Sequence, residues 1–482
     1  MLYQLDARTA LRGLGDRLGR PATFDDVPDR MLDAWAGQSF DWIYWLGVWR
    51  TGAAGRAVSR GTAAWVAGYR AILPDLEVRD ICGSCFAVTG YEVAPEMGGD
   101  AALMRLRARM RRRGMRLMLD FVPNHVALDH PWVEDRPELL MAGTAAQLAA
   151  EPGNYVRLGA AVLAHGRDPN FPGWPDTLQL DYADPATVAA MRGELMRAAG
   201  LCDGLRCDMA MLLLPEVFKR SWGKPALPFW AEAIAAVRRR DNDFLFMAEV
   251  YWGLDGRLLQ LGFDLAYDKT LYDRVLAGDA GSVLAHLRAG PDEQRRMARF
   301  LENHDEPRAA RAFASDRHQA AAVLTFCTPG LRFFHEGQFE GRQVQGAVHL
   351  DRVAAEPVVS AIADFYRRLL GALADPALQS GRWTLLEPDA AWDGNWTWSR
   401  FVAFAWEGPA EGLCLGVVNF LPHAAQCFVR LPLPALAGSR LRLEDALGPA
   451  CYERDGDELL GRGMYFDLPA WGYHLFRVRP AE

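Results

Sequence analysis

The sequence predicts an α/β protein: a (β/α)8 barrel, a small insertion domain after the third strand, and an all-β C-terminal sandwich. Three observations carry this. Apolar, β-prone runs alternate with amphipathic helical runs up to about residue 340, the signature of parallel βα units. About eight such strands can be counted there, the number that closes a barrel. After about residue 390 the period changes to two, with turns rich in Gly, Pro and Asp.

In order along the chain, residues 1 to about 38 read as helical, ending near Gly37. Asp41-Trp-Ile-Tyr-Trp-Leu-Gly47 reads as a buried strand. Leu103 to Arg113 is an amphipathic helix closed by Gly114, and Met115 to Asp120 is the strand that follows. Val188–Ala199 and Phe229–Arg240 read as helices, each leading into a strand, Gly204–Asp208 and Phe244–Glu249. Phe263–Tyr267, Ala298–Glu302 and Leu331–His335 complete the strand set, with a helix over His318–Thr325.

Spacing then sets the domains. Forty-one residues separate Asp208 from Glu249, one βα unit, and 56 separate Glu249 from Asp305, room for two. Asp120 and Asp208 lie 88 apart, too far for one unit. The excess is rich in Pro, Gly, Asp and Trp. The expected bounds are therefore 1–125 and 183–388 for the barrel, 126–182 for the insertion and 389–482 for the sandwich. Period-two runs in the last segment are Phe401–Trp406, Leu413–Asn419, Gln426–Arg430, Leu441–Glu444 and Tyr473–Val478.

Bulk properties narrow the function. A net charge of −8 argues against a nucleic-acid surface. The arginine triplets at 111–113 and 238–240 read as solvated helix ends that suit the helix dipole. No apolar run approaches a membrane span and no secretory signal is apparent, so the expected location is cytoplasmic. Eight scattered cysteines read as reduced thiols, and Cys82-Gly-Ser-Cys85, a lone CxxC, is not a zinc site. Sixteen tryptophans, several beside polar loops, suit a carbohydrate ligand, because indole faces stack on sugar C–H faces.

Four strand ends carry the chemistry. They are Asp120-Phe-Val-Pro-Asn124-His125, Gly204-Leu-Arg206-Cys-Asp208, Phe246-Met-Ala-Glu249 and Glu302-Asn303-His304-Asp305. An apolar run that ends in charge is costly unless the charge faces a site. On a strand, residues two apart share a side, so Arg206 and Asp208 point together. The guanidinium keeps that carboxylate ionised and oriented, as a nucleophile requires. Glu249 ends an apolar strand, a setting that suits a general acid.

Together these segments resemble the alpha-amylase family of glycoside hydrolases, and the resemblance spans essentially the whole chain. It implies that Asp208 is the nucleophile, Glu249 the acid/base, and Asp305 the carboxylate that stabilises the distorted sugar. His125, Arg206, His304 and Arg308 are implied on the substrate side. Tyr91, after Gly90, resembles the tyrosine that stacks under the sugar at the cleavage point. Gln179-Leu-Asp181 resembles the end of the insertion, and Gly337-Gln338 another family signature. The implied reaction is retaining hydrolysis of an α-linked oligosaccharide, with glucosyl transfer or isomerisation as the alternative in the same family. A non-catalytic relative is disfavoured, since the chain keeps all three carboxylates. No cofactor is required. The family often carries a structural calcium, for which Asn124 and Asp181 offer oxygens. The chain departs from many amylases at Met211 and Leu212, where those carry a polar pair holding the acceptor sugar. Asn303-His-Asp-Glu-Pro-Arg308 resembles instead the string of oligosaccharide-acting members.

Overall fold

The computed structural model describes residues 1–313, 315–409 and 412–481. Eight parallel strands form a closed barrel: β1 (Leu2–Asp6), β2 (Trp42–Leu46), β3 (Arg116–Phe121), β4 (Gly204–Cys207), β5 (Leu245–Ala248), β6 (Leu265–Tyr267), β7 (Met297–Arg299) and β8 (Leu331–His335). They follow one another round the barrel in chain order. The chain divides into two compact units, one of Leu2–Tyr267 with Val344–Ala355, the other of Met1, Asp268–Gln343 and Glu356–Glu482.

The first unit holds β1 to β6. Its strands are buried along almost their whole length, Trp42–Leu46 at every position, as strands covered on both faces must be. The first correction to the sequence reading falls here. Residues 2–6 form β1, paired in parallel with β2 from Leu2↔Trp42 to Asp6↔Leu46, and helix α1 (Ala7–Leu18) begins only afterwards. Leu2, Tyr3 and Leu5 are buried, and Asp6 ends the strand by capping α1 through the N–H groups of Arg8 and Thr9. The short run Leu-Tyr-Gln-Leu before a helix had no turn signal to separate the two.

The register of β4 sets the site. Gly204 pairs with Met118 of β3 and Leu245 of β5, so Arg206 falls beside Asp120 and Met247. Gly204 is required there: a Cβ would come within 2.9 Å of both the Leu245 carbonyl oxygen and the Trp42 ring. Between β3 and β4 the chain makes a long excursion. His125–Ala127 pairs antiparallel with Thr177–Gln179, and Tyr155–Leu158 forms a hairpin with Ala161–Ala164.

The second unit holds β7, β8 and the C-terminal sheets. Six antiparallel strands run in the order Arg382–Leu386, Phe401–Glu407, Leu413–Asn419, Tyr473–Pro480, Arg440–Asp445, Cys451–Asp455. A three-stranded sheet of Pro388–Asp389, Ala425–Val429 and Met464–Leu468 faces them. Phe401, Leu415, Val417 and Phe476 from the first pack with Cys427, Val429 and Phe466 from the second, which makes the expected sandwich core. Met464–Leu468 alternates buried and exposed residues, the pattern of a half-covered strand. Among the described residues no helix is long and apolar enough to cross a membrane.

Candidate active site

Arg206 organises the first unit's site. It is 1% exposed, and its Nη1 donates to Asp208 Oδ1 at 2.6 Å while Nη2 lies 2.7 Å from Glu249 Oε2. One guanidinium thus holds both carboxylates, a planar fork matched to two acceptors. Its Nε donates to the Tyr267 hydroxyl at 3.3 Å, and the Phe86 ring lies 5.4 Å from its charge centre, within cation–π range. The backbone fixes the same group. Asp208 N donates to the Phe121 carbonyl at 2.8 Å and Glu249 N to the Cys207 carbonyl at 3.0 Å, so the ladder continues one residue past each strand.

Glu249 differs from the apolar setting expected. Besides Arg206 it receives the Met209 N–H at 2.7 Å and the Tyr251 hydroxyl at 2.8 Å. Met209 reaches it in a left-handed conformation, φ 42°, which costs a non-glycine residue energy and persists only where surroundings enforce it. The apolar residues of β5 lie along the barrel wall, whereas the carboxylate stands beyond the strand end among donors.

Asp120 sits beneath this pair. Its carboxylate accepts from the Tyr44 hydroxyl and from Gly47 N at 2.8 Å. Burial pushes its pKa up to about 6, with the Arg206 charge opposing that rise. His125 is buried against Trp174, ring centres 5.1 Å apart, and 3.4 Å from the Asn124 amide. Burial pushes its pKa down to about 4, so the imidazole is neutral at ordinary pH. Tyr91 is placed otherwise than the resemblance implies. It is 3% exposed, its ring packs on Trp49 and Phe121, and its hydroxyl both donates to the Val122 carbonyl and accepts from Val122 N. It braces the end of β3. Phe86, partly exposed over Arg206, is the aromatic that sequence reasoning missed.

In the second unit, His304 Nε2 lies 3.1 Å from Asp305 Oδ2, and the Asp305 side chain is 42% exposed. Asn303 Oδ1 accepts from Asp305 N and Glu306 N at 2.9 Å each, an Asx turn that sets the loop after β7. Arg308 is not open to a ligand. It is buried and donates to Glu302 at 2.5 Å, to His335 Nδ1 at 2.8 Å and to the Glu336 carbonyl at 2.8 Å. Glu302 also caps Ala309 N at 2.7 Å. The Arg308–Glu302 pair therefore ties the loop after β7 to the end of β8.

The residues offered for calcium do not fit it. Asp181 Oδ2 pairs with Lys224 Nζ at 2.6 Å and its other oxygen accepts from Ala183 N. Asn124 Oδ1 accepts from Gln179 Nε2 at 3.0 Å. Ammonium and amide donors occupy the oxygens that a hard cation would need, and among the described residues no group of three or more His, Cys, Asp or Glu side chains is placed to hold a metal.

Strand ends that present two carboxylates on one arginine are equipped for nucleophilic and acid/base chemistry. Comparison with known proteins shows what the chain is similar to. Residues 87–141 match the family model described as alpha amylase, catalytic domain. A curated relative, alpha-amylase MalA of Haloarcula japonica, is 26% identical over 270 residues, which is 52% of this chain and 36% of that protein. The matched stretch thus spans well under half the length of the relative. These sequence matches cover part of the chain and show its similarity there to the alpha-amylase family. Solved structures show the same fold. The maltogenic alpha-amylase AmyB of Thermotoga neapolitana superposes with a TM-score of 0.68 at 16% identity, covering 100% of this chain and 99% of that one. The alpha-amylase of Geobacillus thermoleovorans, solved with acarbose, gives 0.65 at 17% identity, covering 99% and 98%.

Proposed function

We propose that the protein is a retaining glycoside hydrolase acting on α-glucosidic bonds in short α-glucans or oligosaccharides. The observation that carries this is the shared guanidinium. Two carboxylates on neighbouring nitrogens of one arginine stand close together, which supports the nucleophile and acid/base pairing of a retaining mechanism.

Asp208, ionised and fixed by Arg206, attacks the anomeric carbon. Glu249, protonated at the start, gives its proton to the leaving oxygen, then takes one from water to release the sugar from Asp208. The donors on Glu249, Met209 N and Tyr251, aim its carboxyl at one place through both steps. Neutral His125 accepts or donates to a sugar hydroxyl without bringing charge. Asp305 is assigned on the resemblance as the group whose grip on the sugar hydroxyls tightens in the oxocarbenium-like transition state, with His304 holding its carboxylate.

Short substrates are favoured by the segment after Asp208. Met211 and Leu212 lie in a 3-10 turn, Ala210–Leu213, and both are buried. They offer no polar grip to an acceptor-side sugar. The free state of all eight cysteines supports a reducing, cytoplasmic location.

The test is turnover. Purified protein incubated with maltooligosaccharides, sucrose and trehalose releases glucose, and Asp208→Asn abolishes release. Release of no sugar from any α-glucoside would sink the hydrolase reading. New linkages in place of reducing sugar would favour transfer or isomerisation.

A further inference from the structure

The first unit contains a second cavity, of about 590 Å³, that shares no lining residue with the Asp208–Glu249 cluster. It lies along α1, the strand end and helix start at residues 51–56, and the turns at 79–82 and 96–97. Five arginines line it: Arg8, Arg12, Arg20, Arg56 and Arg79. Asp16, Glu96 and Asp351 are its acidic lining residues. Arg12 pairs with Asp16 and Asp351, Arg20 with Asp26 and Arg79 with Glu77, which leaves Arg8 and Arg56 as the lining arginines with no carboxylate ion pair among the described residues.

Arg8 is the telling member. It is only 9% exposed. Its Nη1 donates to the Gly83 carbonyl at 2.5 Å, with Cys82 Sγ at 3.1 Å and the Val348 carbonyl at 3.4 Å, while Nη2 is buried with no partner. No carboxylate pairs with this guanidinium among the described residues. Asp6, two residues away, is turned to cap α1. The Asp6 charge acts on Arg8 without contact, but the direct contacts of Arg8 are all neutral, and an anion beside Nη2 supplies the missing partner. Gly83 brings a second arginine alongside. At φ 88° it passes so close that a Cβ there would lie 3.0 Å from the Arg56 Cα. Arg56 is exposed.

We propose that this cavity binds a phosphate monoester of sugar size. A dianionic ester matches the two arginines without a carboxylate ion pair, Arg8 and Arg56, where a single carboxylate would not. Arginine forks suit phosphate oxygens. The volume falls within the ~300–1,000 Å³ of small-molecule sites, so it admits more than the bare anion. Leu11, Pro21, Ala22 and Met97 give the rest of the ligand an apolar face.

Calorimetric titration of the whole chain with glucose 6-phosphate, inorganic phosphate and glucose tests this. The ester binds one site, phosphate competes more weakly, and glucose does not displace the ester. The double variant Arg56→Ala, Arg79→Ala weakens ester binding by at least about tenfold, the loss of one charge-assisted contact or more. Its glucose release from maltooligosaccharides is unchanged. Asp208→Asn binds the ester as the wild type does. No ester binding at millimolar concentration overturns the proposal. So does binding undiminished in the arginine variant, and so does binding lost in Asp208→Asn. Because the readout is binding, failure of the hydrolase reading leaves this result separate.

Discussion

Replacing Arg206 by methionine removes a buried cation and keeps most of its bulk. The structure sets the size of the effect. Arg206 makes one contact of 2.6 Å to Asp208 and one of 2.7 Å to Glu249. Charge-assisted hydrogen bonds contribute about 1.5–3 kcal/mol each, so two give about 3–6 kcal/mol. Breaking a buried ion pair from one side costs about 3–5 kcal/mol, because the remaining charge stays desolvated. The two figures agree, and about 4 kcal/mol of lost stability at pH 7 is the expectation. Urea unfolding followed by tryptophan fluorescence measures it. The cause is separable from lost packing. If stranded carboxylates carry the loss, adding Asp208→Asn to Arg206→Met recovers part of it, while the same change alone does not stabilise to that extent. An Arg206→Met protein within about 0.5 kcal/mol of wild type would refute the reasoning, as would a double variant that recovers nothing.

The pH behaviour follows from two buried groups. Burial raises Asp120 to about 6. Its native form therefore holds a proton between about pH 4 and 6 that the unfolded chain has lost, so its contribution to stability falls as pH rises through that window. Asp120→Asn flattens that part of the stability–pH curve; an unchanged slope would contradict the assignment. His125, lowered to about 4 by burial, behaves oppositely: stability falls as pH drops from about 6.5 to 4, because only the unfolded imidazole takes up a proton readily. The His125→Gln variant loses that fall, and raises KM more than it lowers kcat if the ring binds sugar. Chelation with EDTA leaves the thermal midpoint unchanged, because Lys224 and Gln179 already bond the oxygens of Asp181 and Asn124. A fall in midpoint restored by calcium would overturn that reading of the donor set.

The parts of the fold written as long periodic runs could be read from sequence. β8 lies where the sequence placed it, at Leu331–His335, and so does Leu413–Asn419 of the sandwich. β1 could not, because Leu2–Leu5 runs into α1 with Asp6 as the sole boundary, and burial by β2 decides its conformation. Cys451–Asp455 was also missed. It is an edge strand with four of its five residues exposed, so it lacks the alternation that signals a strand. Within the site, the i, i+2 rule correctly put Arg206 beside Asp208. It could not show that Arg206 also holds Glu249, a contact between strands set by register. The donors Met209 N and Tyr267 were hidden for the same reason, whereas Tyr251 is a local donor two residues beyond Glu249. Arg308 is placed on the substrate side by the resemblance of the Asn303–Arg308 string; its partner Glu302 is six residues back and reached by the loop's turn at Asn303.

Trapping the covalent intermediate tests the central claim most directly. A 5-fluoro-α-glucosyl fluoride slows the second step more than the first, so the sugar accumulates on the nucleophile. Peptide mass mapping of the inactivated enzyme should find one glycosyl adduct, on the carboxylate of Asp208. An adduct on Glu249 or Asp305, or turnover of the reagent with inversion at the anomeric carbon, would contradict the account.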